Sequence, residues 1–498
     1  MLRNYLLTTF RNIIRRKGFS ALNILGLSIG LASSLLILQY VKDELSYDDF
    51  HENAEHIYRV QYDAYRDKEL VFQCATAFPK VGPALKAEFP EIQNTCRLYL
   101  RYGGGVIRYN DISIKEDNIF TVDKSFFEMF SYPLIAGDRN TALEDANTAV
   151  IEEQTAKKYF GDEDPIGKRI RFGNREEYEI TGVLRSPENS HLKFTFLFSY
   201  PTLTTLIGRD FEEAWGWYDF YNYIHLKPGA DPAALEAKLP AFIQKYGREG
   251  DADRMKFSLQ HLPDIHLYSN LIQEARVNGD GRSVYFLMII ALFILGIAWV
   301  NYINLATARA VERAKEVGVR KAIGAGRTQL MAQFVGEAFI LNLAAVAVAF
   351  VLLSLAIPFF NSLSGKTLTN SILFEPSLWY AVAGLFVVGS VLSGVYPAFV
   401  LSSYKPVKVL KGSMSGSREG LLLRKVLVVV QFVFSVGLIA GTMIVYQQLR
   451  YMQNRDLGVD IGQTLVINSP GVVADRNNYP SQYNAFKNEI QRHPSVKK

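Results

Sequence analysis

Five long apolar runs, separated by polar intervals, set the plan of this chain. Gly18–Val41 holds 24 residues between Lys17 and Lys42, and Ser283–Ala308 runs 26 residues without a charge. Thr328–Gly365 carries a single ionisable side chain, Glu337; Pro376–Tyr404 and Val426–Leu449 complete the set. About 20 apolar residues suffice for one helix to cross a bilayer core. The pattern therefore predicts transmembrane helices at 18–41, 283–308, 328–360, 376–404 and 426–449. The polar interval 42–282 has other periods. Tyr58, Val60 and Tyr62 alternate with Arg59, Gln61 and Asp63, the period of a half-buried strand, and Tyr178 and Ile180 alternate with Glu179 and Thr181. Asp231-Pro232 ahead of AALEAKLPAFIQKY predicts a helix start, with the aspartate as cap and the proline in the first turn. The predicted fold is a polytopic α-helical membrane protein. A large extracytoplasmic mixed α/β (α+β) domain is inserted between its first and second transmembrane helices.

Charge orients these spans. The chain as a whole is only +5. Residues 1–20 carry five basic side chains and no acid, 309–327 six basic against two acidic, and 402–425 six basic against Glu419. Five spans force the connections to alternate sides, and these three basic segments fall on one side. The positive-inside rule puts that side in the cytoplasm. The order is then 1–17 inside, 42–282 outside, 309–327 inside, 405–425 inside and 450–498 outside, with the lipid bilayer as solvent for the spans. Topogenesis accounts for the basic clusters, so no nucleic-acid partner is needed. The first run is longer than a signal-peptide core and no small-x-small site follows it, which favours a retained anchor. Ahead of it Leu2, Leu6, Phe10, Ile13 and Ile14 recur at helical spacing among arginines. Two readings fit residues 1–17: an amphipathic helix on the inner leaflet, or a merely basic tail.

Chemistry is sparse. His51 and His56, and His261 and His266, are five apart without acids in a metal-site pattern, so no metal site is predicted. Gly161–Lys168, GDEDPIGK, has five residues between glycines where a phosphate loop needs four, and Arg169 follows where Ser or Thr is required. No catalytic constellation, nucleotide site or cofactor emerges. Cys74 and Cys96 both fall in 42–282 and form a candidate disulfide pair if that interval is extracytoplasmic. Within the apolar runs Glu337, Asn301 and Asn304 are the polar residues of interest. A carboxyl group in a membrane is costly unless paired or hydrated, and a structural bond from Glu337 toward either asparagine is the favoured role. Gly389 with Ser393, and Ser390 with Gly394, are small residues four apart that permit close helix contact. In 309–327, Glu312, Glu316 and Arg320 share a helix face, Ala314, Val317 and Ala322 supply an apolar side, and Gly324 and Gly326 end the helix.

Several ordered motifs add a resemblance. FTVDKSFFEMFSYPLIAGD (120–138), AKKYFGDEDPIGKRI (156–170), ITGVLRSPENSHLKF (180–194) and DIHLYS (264–269) resemble the periplasmic core domain of MacB-type ABC transporter permeases. NYINLATARAVERAKEVGVRKAIGAGRTQLMAQFVGEAFIL (301–341) and YPAFVLSSYKPVKVLKG (396–412) resemble the FtsX-type permease module. The resemblance implies a permease subunit in the bacterial inner membrane with no ATPase activity of its own. A separate cytoplasmic ABC ATPase would drive movement of the periplasmic domain, for export or for mechanotransmission. It makes 309–327 the cytoplasmic coupling segment, with Glu312, Arg313, Lys315, Glu316, Arg320 and Lys321 as candidates for ATPase contact. The other partners it implies are a second permease half or chain, with periplasmic adaptor and outer-membrane efflux proteins. The alternative is a membrane-anchored sensor or scaffold whose outer domain binds a ligand. RKVLVVVQFVFSVGLIAGTMIVYQQLRYM (424–452) repeats the design of Arg16–Glu44 and resembles the opening of a second copy, as in the long, duplicated bacterial permeases. That copy is expected to be truncated, since the chain stops at Lys498.

Overall fold

The structure, a computed structural model, describes residues 17–174, 176–308, 317, 319–369, 376–403, 418–455, 464, 466–467 and 478–496. Residues 1–16 of the 1–17 segment, and Glu312, Arg313, Lys315 and Glu316, lie outside the described residues. The chain forms two units, Met1–Lys42 with Arg282–Thr464 and Asp43–Gly281 with Leu465–Lys498.

The first unit is helical. Each apolar run becomes one long helix: α1 (Lys17–Leu45), α2 (Gly281–Ala308), α3 (Arg327–Ser364), α4 (Pro376–Ser403) and α5 (Arg418–Asn454). Four of these are long and apolar enough to cross a membrane, and α4 holds a shorter described apolar stretch at Trp379–Val391. Helix α5 starts at Arg418, inside the predicted loop 405–425. Small residues set the packing. A Cβ on Gly30 of α1 would lie 2.6 Å from the Ala298 Cβ of α2, and one on Gly389 of α4 would lie 2.6 Å from Trp299 Nε1. Leu31, Leu35, Leu295, Ala349, Leu353 and Val382 close the core between α1, α2, α3 and α4. Ser34 Oγ donates to the Ala291 carbonyl at 2.9 Å, so this hydroxyl is satisfied across the α1–α2 contact.

The second unit is built on one mixed sheet. Its strands are β1 (Ile57–Arg66), β2 (Glu69–Cys74), β3 (Ile92–Leu100), β4 (Gly105–Tyr109), β5 (Ile112–Glu116), β6 (Ile119–Val122), β7 (Leu134–Gly137), β8 (Thr148–Glu152), β9 (Arg169–Phe172), β10 (Glu176–Leu184), β11 (Phe196–Ser199), β12 (Phe220–Leu226) and β13 (Met255–His261). Their order is β13-β1-β12-β3-β6-β11-β8-β10-β9-β4-β5, with β2 beside β1 and β7 beside β10. β6 and β11 run parallel, as do β8 and β10; the other pairs are antiparallel. Alternate residues of β12 enter two cores. Tyr221 and Tyr223 join Phe120, Phe126 and Phe194 in one, while Ile224 and Leu226 join Val60, Phe242 and Phe257 in the other. A third core gathers Ile151, Tyr178, Ile180, Phe196 and Phe198.

Three expectations change here. β1 is not half-buried: Arg59 on its polar side is 0% exposed and Asp63 only 5%, because both faces of this central strand are covered. The helix begun at Asp231 breaks into Pro232–Glu236 and Leu239–Tyr246. Asp231 caps it, its carboxylate accepting from Ala233 N at 2.9 Å, but Pro240 has no N–H to continue the ladder. Cys74 and Cys96 are both buried and free. Cys74 sits opposite Tyr62 of β1, whereas Cys96 sits opposite Tyr223 of β12, which itself faces Arg59 of β1. That offset of three residues along the strands, about 10 Å at 3.3 Å per residue, already exceeds the Cα separation a disulfide spans.

Candidate functional site where the chain enters and leaves the α/β unit

The chain enters this unit at Asp43, in the last turn of α1, and leaves it at Gly281, the first residue of α2. Side chains beside the two crossings meet one another. Glu44 Oε2 lies 2.9 Å from His266 Nε2, with both side chains nearly inaccessible. The Tyr47 ring stacks on the same imidazole at 3.4 Å and 4°. Gly279 N–H donates to the His266 carbonyl at 2.8 Å, and a Cβ at Gly279 would sit 2.5 Å from Glu44 Oε2. A side chain at 279 would have to displace the Glu44 carboxylate from its place on His266.

Deeper in, Arg59 of β1 grips the same outgoing segment. Its guanidinium donates to both Glu274 carboxylate oxygens at 2.8 Å, to Gln260 Oε1 at 2.6 Å and to Ser269 Oγ at 3.0 Å. Burial disfavours this cation, but the hydrogen bonds to Glu274 together with the electrostatic effects of Tyr223, Glu274 and Tyr221 outweigh it and hold its pKa above the ordinary arginine value.

A third cluster anchors the incoming segment. Asp48 sits at φ 62°, and its carboxylate accepts from Ser190 Oγ at 2.9 Å and meets His191 Nδ1 at 2.8 Å. His191 Nε2 lies 2.7 Å from Tyr223 Oη, and Ser190 Oγ lies 2.7 Å from Tyr132 Oη. His51 accepts the Ser131 N–H on Nδ1 at 3.0 Å, and its Nε2 stands 3.8 Å from Asp48. Burial raises the Asp48 carboxyl, but His191, Ser190 and His51 together bring it below its usual range. Burial lowers the His51 imidazole to about 4, against the pull of Asp48 and with a contribution from His191.

Asp48, His191 and Ser190 have the composition of a hydrolase triad without its geometry. The serine hydroxyl donates to the aspartate rather than to the histidine, and none of the three is more than 3% exposed. The arrangement is a brace between the incoming segment and the β10–β11 connection. Ser190, His191 and His266 stand inside the motifs ITGVLRSPENSHLKF and DIHLYS, but spacing along the chain does not bring them to Asp48 or Glu44.

In the helical unit the described end of the 309–327 segment folds onto α3. Val317 packs with Leu330 and Phe334, and Arg320 donates from Nη1 to Gln333 Oε1. Gly324 turns the chain at φ 100°. Lys321 is described beside it, half-exposed. Glu337, one turn beyond Gln333, is buried at 7% exposure, and Asn304 is buried at 9%. Asn301 Nδ2 approaches α1 at Gly26. Among the described residues no group of His, Cys, Asp and Glu could hold a metal ion.

Residues 20–242 match the MacB-like periplasmic core domain family, and residues 288–406 match the FtsX-like permease C-terminal family. The chain belongs to the MacB/FtsX-type permeases. The long helices and inserted α/β domain make this permease a polytopic membrane protein. It is similar to the macrolide export ATP-binding/permease protein MacB of Neisseria gonorrhoeae, 26% identical over 241 residues, covering 48% of this chain and 35% of that protein. The Bdellovibrio bacteriovorus protein of the same name is 26% identical over 278 residues, covering 53% of this chain and 38% of its own length. The permease thus spans well under half the length of these curated relatives. Among solved structures, a domain of a permease protein from Porphyromonas gingivalis is 25% identical, covering 42% of this chain and 91% of that one, with a TM-score of 0.38. The periplasmic region of MacB from Actinobacillus actinomycetemcomitans is 14% identical, covering 44% and 95% respectively, with a TM-score of 0.31.

Proposed function

We propose that this permease is the transmembrane subunit of an ABC transporter in the bacterial inner membrane. A separate cytoplasmic ATPase grips the 309–327 segment, and the resulting helix movement drives the periplasmic domain, in export or in mechanotransmission. The observation that carries this reading is the docking of Val317 and Arg320 on α3. Val317 in an apolar cluster and Arg320 on Gln333 fix the segment to a membrane-length helix, so a push on it is not absorbed by a slack loop. The braces at Glu44–His266 and Arg59–Glu274 supply the corresponding stiffness in the α/β unit, tying its incoming and outgoing segments to β1. A second permease half or chain, a periplasmic adaptor and an outer-membrane efflux protein are the further partners of this reading.

The test reverses the charges of Glu316 and Arg320 together, Glu316→Arg with Arg320→Glu. Net charge is kept, so insertion is expected to be normal. Like charges then face any complementary ATPase surface, where juxtaposition costs several kcal/mol. The double variant is expected to lose co-purification with its ATPase while remaining in the membrane. Unchanged capture of the ATPase would return the segment to the role of a topology anchor and favour the sensor or scaffold reading.

A further inference from the structure

In the middle of the sheet β6 and β11 run parallel and end together, Val122 opposite Ser199. Open α/β sheets bind ligands outside the carboxyl ends of parallel strands. Here the chain continues from β6 into Asp123 and Lys124, and from β11 into the helix Tyr200–Ile207. On its other side β6 pairs with the antiparallel strand β3, which brings Arg97 to the same edge. These residues wall a cleft of about 560 Å³, closed further along the chain by Arg209 and Glu212. Small-molecule sites occupy roughly 300–1,000 Å³.

The interior of this cleft is built and incompletely satisfied. The Arg97 guanidinium lies 3.9 Å over the Tyr200 ring. It donates from Nε at 2.9 Å and Nη2 at 3.0 Å to Asp123, and from Nη1 at 3.3 Å to the Pro79 carbonyl. A guanidinium has five N–H groups, so two of them keep no partner among the described residues. Arg97 is 8% exposed and Tyr200 is 4% exposed. The Tyr200 hydroxyl is buried with no hydrogen-bond partner among the described residues. A buried polar group left unpaired is destabilising, so a ligand that pairs it is favoured. Tyr200 lines the cleft together with Arg97, Asp123 and Glu212. Three cations, Arg97, Lys124 and Arg209, stand against two carboxylates, Asp123 and Glu212. Glu212 already accepts the Thr204 hydroxyl at 2.8 Å, Asp123 holds Arg97 and Glu144 pairs with Lys124 at 3.3 Å, so charge is balanced and what the cleft has in excess is N–H and O–H donors.

We infer that this cleft binds a small organic carboxylate: its anionic head takes the unused Arg97 N–H groups and the Tyr200 hydroxyl, with Lys124 and Arg209 at the mouth. Its place at the carboxyl ends of β6 and β11 separates it from the brace built on Asp48 and Glu44, and the inference does not rest on ATPase coupling.

The experiment is isothermal titration calorimetry of the full chain in lipid nanodiscs with succinate, and with inorganic phosphate as the competing anion. Saturable binding of succinate is expected. Lys124→Ala with Arg209→Ala, both at exposed positions, should weaken it at least about tenfold, and Tyr200→Phe should weaken it while leaving the ring on which Arg97 rests. Circular dichroism and thermal unfolding without succinate check that the variants keep the fold. No saturable heat with succinate would overturn the inference. So would equal affinity for phosphate and succinate, or a Tyr200→Phe variant that binds as the parent does, since either result reduces the cleft to unspecific attraction of anions.

Discussion

At the scale of single residues, the informative side chains are the polar ones that the α/β unit buries. His51 shows how such a group ties stability to pH. Its Nδ1 already accepts the Ser131 N–H, so protonating the ring loses that bond and places a charge in a buried site. Its pKa is lowered from 6.5 to about 4, burial being the main cause. The unfolded chain therefore binds a proton between those values that the folded one refuses. Stability falls as pH drops from about 6.5 and levels off near 4, for a total of about 3 kcal/mol. Asp48, held below its ordinary value, adds a second loss at still lower pH, as its carboxylate protonates. Denaturant unfolding of the α/β unit within the full chain, followed at pH 7 and pH 4.5, should show this decline. His51→Gln should cost stability at pH 7 and flatten the pH 6.5 to 4 limb; an unchanged slope would remove His51 from the account.

At the scale of elements, helix contact in the membrane unit rests on missing side chains. Gly30 faces Ala298 with no room for a Cβ, whereas nothing lies within 4 Å of the Cβ position at Gly296. Gly30→Leu should therefore separate α1 from α2 and lower thermal stability in detergent, by about 1–3 kcal/mol as for other overpacked contacts. Gly296→Leu should leave it unchanged, and equal effects of the two would contradict the contact. The elements were legible in the sequence to different depths. Runs of 24 and 26 uncharged residues can only be long helices, and α1 and α2 contain them. Tyr178 and Ile180 alternate and both are buried in β10. Alternation could not show that the opposite face of β1 is covered too. That depends on Glu274, more than two hundred residues away in the chain, supplying the charge that makes Arg59 tolerable there. The brace at Asp48, Ser190 and His191 was hidden for the same reason, since its members meet only after β12 and the segments beside α1 come together.

At the scale of the whole molecule, the arrangement to be tested is which segments face which compartment. The basic residues of 1–20, 309–327 and 402–425 total +14 net in a chain of +5, so the remainder carries −9. That asymmetry predicts the 42–282 domain on the periplasmic side and the loop 405–425 in the cytoplasm. Single-cysteine labelling with an impermeant maleimide on intact cells or spheroplasts measures this directly. The two native cysteines are buried in the α/β unit and are replaced by serine or alanine for the purpose. Ser190 is a poor reporter despite its position in the domain, because it is 0% exposed and bonded to Asp48. Ser113, on the exposed side of β5, is accessible and alters no brace. Ser113→Cys is expected to react from outside, and Ser415→Cys only after the membrane is permeabilised. Reaction of both from the same side would break the alternation on which the coupling role of 309–327 depends. A short basic segment can be gripped by a cytoplasmic ATPase only if it shares that compartment, whatever the affinity of the isolated peptide.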